Sequence, residues 1–599
     1  MASPVVLGLD LGTTNVGLSH APAEGDAPPA IFPIPQVVHA GEAAPRELLP
    51  SFLYLPGEVE LPAGSLALPW DPARSFAVGT FAREQGTRVP ARLVSSAKSW
   101  LSHAGVDRRA AILPWNAPDE VAKVSPVEAT SRYLAHVKEA WNAAHPDERL
   151  EDQDLVLTVP ASFDAVAREL TVEAANAAGI GAHLTLLEEP QAALYAWVAA
   201  SGDAWRKQVE PGDLILVCDV GGGTVDFSLI AVLEEEGTLQ LSRVAVGDHI
   251  LLGGDNMDLA LAYAVRERLE KEGKSLDDWQ LRALTHGCRV AKEALFADPS
   301  LDSSPVVIPG RGSKLIGGTM RTELTRAELE ATLVDGFFPK VSAADRPAAP
   351  RRLGLTALGL PYAHDPAITR HLAAFLGRHA GASASLPPGV HAEGRTFLHP
   401  TALLFNGGVT KAALLRDRVV EVLDSWIEAE GGAKVAVLEG ADPDLAVAKG
   451  AAYFGRVRRG AGLRIRGGTA RSYYVGMERA ELAVPGVPPR IDAVCVAPFG
   501  MEEGSETRLP EALGLLVGEP AAFRFFASST RRDDGVGEKV DPSGLEELTP
   551  IETTLQGAQG QVVPVELHAK VTEVGTLELS AVEQASGRRW RLEYDVRGT

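Results

Sequence analysis

Two stretches of the chain, far apart in sequence, repeat one pattern of apolar and polar positions. Val5-Val6-Leu7-Gly8-Leu9-Asp10-Leu11 and Leu214-Ile215-Leu216-Val217-Cys218-Asp219-Val220 are apolar, β-prone runs with an aspartate next to the end. Each runs into a small polar turn, Gly12-Thr13-Thr14-Asn15 or Gly221-Gly222-Gly223-Thr224, and then into more apolar sequence. The pattern predicts a hairpin in each place, with bare backbone N–H groups and a threonine hydroxyl at its tip. Such a tip can wrap a phosphate, because glycine lets the main chain come close and small hydroxyls add donors. The aspartate beside each tip can hold a hydrated divalent cation or an attacking water near that phosphate. Two such hairpins predict a duplicated fold that grips one nucleotide from both sides.

Helical and strand periods alternate through the first three quarters of the chain. Ser125-Pro126-Val127-Glu128 reads as a capping box with proline at the first helical position. The helix it opens places Tyr133, Leu134, Val137 and Trp141 on one face. Residues 155–159 predict a buried strand, and 163–178 a helix ending at Gly179. Residues 256–296 predict a long helical stretch broken near Gly273, and 414–430 an amphipathic helix stopped by Gly431-Gly432. This alternation predicts an α/β body. Residues 343–399 are rich in Pro, Ala and Gly around one helix at 366–378, and read as a surface insertion. Beyond Arg459 the helical period stops. Residues 460–470 carry a Gly- and Arg-rich linker. Strict alternation then takes over at Val563, Val565, Leu567, Ala569 and Val571, at Leu577, Leu579 and Ala581, and at Trp590, Leu592, Tyr594 and Val596. With turns at Gly575 and Gly587, this predicts antiparallel strands that bury one face.

The chain's 599 residues call for several domains. A net charge of -22 argues against a nucleic-acid partner. Cys218, Cys288 and Cys495 show no metal-like spacing and suit a reducing compartment. The N-terminus runs into the first strand without a basic leader, and no apolar run approaches the roughly 20 residues that span a bilayer. The expectation is a cytoplasmic protein with no membrane partner. The 14 histidines form no ligand-like cluster, and Trp70, Trp100, Trp115, Trp141 and Trp197 read as packing residues.

With both hairpins, the linker and the β tail in view, the chain resembles the seventy-kilodalton heat-shock chaperones, the DnaK-like family of the actin/sugar-kinase superfamily. The two phosphate tips carry the resemblance first. Thr158-Val159-Pro160-Ala161-Ser162-Phe163, Glu188-Glu189-Pro190-Gln191-Ala192-Ala193 and Leu252-Gly253-Gly254-Asp255 add to it. So do Phe405-Asn406-Gly407-Gly408-Val409-Thr410 and the run from Asp442-Pro443-Asp444 to Gly450-Ala451-Ala452. The resemblance implies a duplicated, actin-like two-lobed ATPase domain at 1–459, the linker at 460–470, and a small antiparallel β-sandwich at 471–599 that binds peptide. It implies ATP or ADP with Mg2+ as cofactors. Asp10 and Asp219 would organise the magnesium through its water shell. Gly12, Thr13, Thr14 and Asn15 would contact the phosphates, as would Gly221, Gly222, Gly223 and Thr224. Lys98 would reach the γ-phosphate and the attacking water, where developing charge needs a cation. Glu189 and Asp226 would steer that water and the metal shell. Gly254, Gly407, Gly408, Lys411 and Asp444 would line the adenosine pocket, with Lys292 on its opposite wall. Pro160 and Arg168 would transmit nucleotide state toward the peptide-binding domain.

The chain departs from the family pattern in places. Arg289 stands where the family keeps a ribose-bonding glutamate, Glu293 where eukaryotic members often place an arginine over the adenine, and Val409 where a serine contacts the base. The linker Gly462-Leu463-Arg464-Ile465-Arg466-Gly467 is basic, whereas the family's is acidic and leucine-rich. The β tail matches loosely up to Asp534, and no helical lid follows it, which implies fast peptide exchange. The expected function is a chaperone that binds and slowly hydrolyses ATP to control its hold on unfolded or extended polypeptide. A J-type co-chaperone and a nucleotide-exchange factor are the implied partners. The alternative is a nucleotide-gated binding or scaffold protein with little turnover, and a small-molecule kinase ranks below both.

Overall fold

The computed structural model describes residues 4–25, 27–235, 238–310, 319–349, 359–380, 394–459, 465–466, 471–479, 482, 489–499, 501, 505–528, 531, 533–548, 550–571 and 576–595. Gly575, Val596 and the second Pro/Ala/Gly run at 381–388 lie outside them, as does most of the linker.

The repeated sequence pattern becomes a repeated sheet. In the first half of the α/β body the strand order is Leu184–Glu188, Asp154–Val159, Val5–Leu11, Asn15–Pro22, Ala30–Ile31. In the second half it is Ala436–Leu438, Ala402–Asn406, Leu214–Val220, Val225–Glu235, Thr238–Val246. Each sheet has three parallel strands, and its central strand turns back through a glycine tip into an antiparallel partner. The central strands are buried on both faces, which explains why they read as continuous apolar runs.

Each half has its own core. Leu7, Leu9, Val16, Leu134, Leu157 and Phe163 belong to the first, and Leu216, Phe227, Leu261, Leu284, Leu403 and Leu423 to the second. A third cluster, built on the helices Glu189–Ser201 and Ala446–Arg458, reaches Val156 of one sheet and Val217 of the other. These two helices meet backbone to backbone at Gly450, where a Cβ would collide with the carbonyl of Ala192. The helix Pro126–Ala144 starts where expected, with the Ser125 hydroxyl accepting the Glu128 N–H at 3.0 Å and Tyr133, Leu134, Val137 and Trp141 buried, but Glu128 pairs with Arg132 at 2.6 Å rather than closing a capping box. The break near Gly273 separates the helices Gly254–Lys271 and Asp278–Ala297.

Of the linker, Ile465–Arg466 pairs in parallel with Leu241 and Ser242 and adds a sixth strand to the second sheet. The C-terminal region contains two five-stranded antiparallel sheets and a two-stranded one, Pro520–Phe523 with Ile551–Thr554. One of the larger two runs Lys539–Val540, Ile491–Ala497, Ser472–Glu478, Phe525–Ser528, Glu546–Glu547; the other contains Glu506–Arg508, Leu513–Val517, Gln561–Val571, Thr576–Glu583 and Arg589–Asp595. Val563, Val565, Leu567, Ala569, Leu577, Leu579, Ala581 and Trp590 share a core with Tyr473, Val475, Val494 and Val496 of the facing sheet. These eight period-two residues are therefore part of an inward row, and the side chains of Leu592 and Tyr594 lie outside those described. The helix expected at 366–378 runs Ile368–Arg378.

Candidate active site

The two sheets bring their glycine tips together. A Cβ on Gly222 would strike the Thr14 side chain, and one on Gly223 the Thr13 side chain, so the tips touch. Each tip is held from behind. Ser51 Oγ donates to the Gly12 carbonyl at 2.8 Å, and the Ser51 N–H to that of Thr14 at 2.9 Å. In the second tip, Gly254 N–H donates to Gly221 O at 3.1 Å and Asp255 N–H to Gly222 O at 2.7 Å. These bonds occupy tip carbonyls. Among the described residues, the N–H groups of Thr13, Thr14, Gly222 and Gly223 are spent on no other backbone group. That is the polarity a phosphate requires.

A cavity of about 500 Å³ opens beside the tips. It is lined by Asp10, Gly12, Thr13, Thr14, Asn15, Lys98, Glu189, Asp219, Gly221, Gly222 and Thr224. Gly254, Lys292, Gly407, Gly408, Lys411 and Asp444 line it too. Two expected residues do not reach it. Gly223 packs on Thr13 instead, and Asp226 lies behind the wall, bonded to Ser162 Oγ at 2.8 Å and to His249 Nδ1 at 3.2 Å.

Asp10 accepts a hydrogen bond from Thr158 Oγ1 at 3.1 Å, and Asp219 one from Asn406 Nδ2 at 2.6 Å. Lys98 is buried and paired with Glu189. Burial, and next the charge of Glu189, push both Asp10 and Asp219 well above the usual carboxylate range. Burial by itself would lower Lys98, but Glu189 and Asp10 outweigh it and hold the ammonium protonated. Burial likewise works against ionised Asp226, and His249 and Ser162 more than offset it.

The rest of the cavity has a mixed wall. Gly407 turns the chain at φ +83 under the Asp219 carboxylate. Lys411 pairs with Asp444 at 2.5 Å and with Asp442 at 3.1 Å. Opposite, Arg289 and Lys292 both hold buried Asp258 at 2.7 Å, and Arg289 also binds Asp255. Phe296, Ala297, Val409, Ala412 and Leu415 supply an apolar slot. Arg83 enters from the first half's helix Thr80–Arg88. Sequence reasoning missed Arg83 and His249. Thr158, Ser162 and Asn406 sat inside recognised motifs but were given no role. Arg83 and His249 are joined to the site only by long-range folding, with no local pattern to mark them.

A sequence model of the Hsp70 protein family matches residues 77–346. Among curated relatives, a chaperone protein HscA homolog of Burkholderia lata is 30% identical over 310 residues, covering 50% of this chain and 43% of that protein. Chaperone protein HscA of Serratia proteamaculans is 31% identical over 338 residues (54% and 46%), and the HscA homolog of Ralstonia nicotianae 30% over 358 residues (57% and 49%). The chain is therefore similar to the Hsp70 family over residues 77–346 and to these chaperones over about half its length. It spans less than half the length of these curated relatives.

The cleft fits the nucleotide and hydrated hard cation that the similarity to Hsp70 implies. Two half-buried carboxylates raised toward neutrality are what a divalent cation would relieve, and they offer it oxygen ligands. Among the described residues no three acidic, histidine or cysteine side chains close up enough to hold a bare ion. Arg168 is wholly buried, binding Glu188 at 3.0 Å and the carbonyls of Phe163, Ala161 and Pro160 at 3.0, 3.2 and 3.3 Å. Pro160 and Arg168 are thus in direct contact, next to the strand end that carries Thr158. Among the described residues no helix is long and apolar enough to cross a membrane.

Proposed function

We propose that the cleft binds ATP and hydrolyses it slowly, and that this controls how a C-terminal β-sandwich holds extended polypeptide. The observation that carries the reading is the meeting of two glycine tips beside Asp10, Asp219, Lys98 and Glu189. The α/β body would be an actin-like, two-lobed ATPase domain at 1–459, joined through 460–470 to the sandwich at 471–599. Tip N–H groups and the hydroxyls of Thr13, Thr14 and Thr224 would bind the β- and γ-phosphates. Bound magnesium would compensate phosphate charge, held through water by Asp10 and Asp219. Glu189 would orient the attacking water, with Asp226 behind it, and Lys98 would balance the charge that grows as the bond to ADP breaks. The apolar slot would take the base, with Gly254, Gly407 and Gly408 approaching the nucleoside and Lys292, Lys411 and Asp444 at its edges. Polypeptide would add to the sandwich through main-chain hydrogen bonds. A J-type co-chaperone and a nucleotide-exchange factor are fitting partners, and the cytoplasm the fitting compartment.

A second reading is a nucleotide-gated binding protein with little turnover. The closed Lys98–Glu189 pair favours it, because both groups are occupied with each other. Single-turnover hydrolysis, with and without an unfolded polypeptide, separates the two. Phosphate release that polypeptide accelerates and that Lys98→Ala abolishes supports the chaperone ATPase. Tight ATP binding with no release supports the gated binder.

A further inference from the structure

The described residues of the Pro/Ala/Gly-rich segment 343–399 give no side chain to the cavity, yet they touch both halves of the body that forms it. On the second half, Ala363 donates its N–H to the Leu251 carbonyl at 3.2 Å and packs on that half's core. Asp365 is buried and accepts from Ala348 N–H at 2.8 Å, Ala367 N–H at 2.9 Å and Arg370 Nη1 at 3.0 Å. This ties the segment to the helix Ile368–Arg378. That helix is seated on the second sheet by Phe375 stacked on Phe227 at 5.7 Å and by an Arg378–Asp248 ion pair at 2.9 Å. On the first half, Leu360 packs against the core there, and a Cβ on Gly359 would lie 3.8 Å from Trp115 Nε1. The Tyr362 N–H bonds to the Leu360 carbonyl at 2.9 Å, a tight turn between the two contacts.

What these contacts reach gives the segment its meaning. Trp115 packs on Trp100 at 4.6 Å, and Trp100 belongs to the short helix Ala97–Ser102 that carries Lys98. Leu251 belongs to the loop that backs the second tip through Gly254 and Asp255 and that supplies His249 to Asp226. The segment therefore runs from the helix of the lysine to the support of the opposite phosphate tip. The halves have separate cores joined by the third cluster at the crossing of Glu189–Ser201 and Ala446–Arg458, and the segment adds a further tie that reaches the Lys98 helix and the second tip.

We propose that residues 359–365 are a brace that fixes the Lys98 helix relative to the second tip, with Leu360 and Ala363 as positioning residues. The proposal rests on the ATPase reading of the cleft. Neither residue touches the cavity; each acts on Lys98 and the tip through its neighbours. A displacement of about 1 Å between reacting groups costs roughly a hundredfold in rate, so loosening the brace acts on turnover before affinity.

The test uses the full chain and the variants Leu360→Asp, Ala363→Pro, their double, and Leu360→Met. Single-turnover hydrolysis at saturating Mg-ATP should slow about tenfold or more in each of the first two, with ADP affinity changed less than about threefold. The double variant should be no slower than the worse single, because a brace cut at one end cannot be cut again. Leu360→Met should restore the rate. Hydrogen exchange should rise at both 97–102 and 247–253 in either variant, although each substitution touches only one half. Unchanged turnover in both folded single variants, additive effects, or exchange rising only beside the mutated residue would overturn the brace. If the wild-type chain binds ATP without hydrolysing it, the ATPase reading fails, and the exchange pattern still decides whether the halves are braced.

Discussion

Single residues in this chain carry unusual burdens, and His136 shows how one can be measured. It is buried, with Nε2 within 2.9 Å of the Pro35 carbonyl and Nδ1 facing the Arg74 guanidinium at 3.4 Å. The ring is therefore neutral, with its proton on Nε2 and its lone pair toward Arg74, which is itself paired with Asp71 and Glu139. Burial, then the Arg74 charge, lower its pKa from 6.5 to about 4. The unfolded chain binds this proton at a higher pH than the folded one, so stability is complete above about pH 6.5 and falls as pH drops toward 4. The loss from this group approaches about 3 kcal/mol. Denaturant melts at pH 7.5 and 4.5 should show a steeper acid loss for wild type than for His136→Gln. Arg168 makes a second case. Removing one member of a buried ion pair costs about 3–5 kcal/mol, so Arg168→Ala should lower the first thermal transition sharply, while Arg109→Ala, an exposed pair with Glu173, should move it little. The sequence marked Arg168, Asp10 and Lys98 through motifs. It could not mark His249 or Arg83, because their partners Asp226 and the cavity wall are distant in the chain.

At the scale of elements, the regular periods were legible and the close approaches were not. The 3.6 period placed the helix Pro126–Ala144 to its first residue, because a serine cap and an N1 proline leave one way to begin. Ser125→Ala should cost about 1 kcal/mol in a thermal melt. Period two picked the inward row of the C-terminal strands, since alternate side chains must take opposite faces. Strand order in the sheets was invisible to either period. So was the crossing at Gly450, a glycine inside a helix that the pattern shows only as a small residue. Gly450→Val must drive a branched side chain into the Ala192 backbone, at a cost of at least about 3 kcal/mol. The expected readout is loss of soluble folded protein, with Lys449→Val, on the same helix, far milder.

For the whole molecule, the duplicated tips foretold a two-sided cleft, and the sheets agree in order and direction. Residues 343–399 read as a mere insertion because Pro, Ala and Gly leave no period, and only the folded chain reveals Leu360 and Ala363 on different cores. The linker strand Ile465–Arg466 sits on the outer edge of the second sheet, whose central strand carries Asp219. Its seat on Thr238–Val246 has a further consequence. A nine-residue edge strand left bare presents a row of unpaired amide groups to any passing chain, a template for sticking edge to edge. Ile465→Pro, which cannot donate to that row, should raise light scattering on warming well before the core melts. The two-residue linker strand thus shields part of this edge, and each release of it would lengthen the stretch open to aggregation.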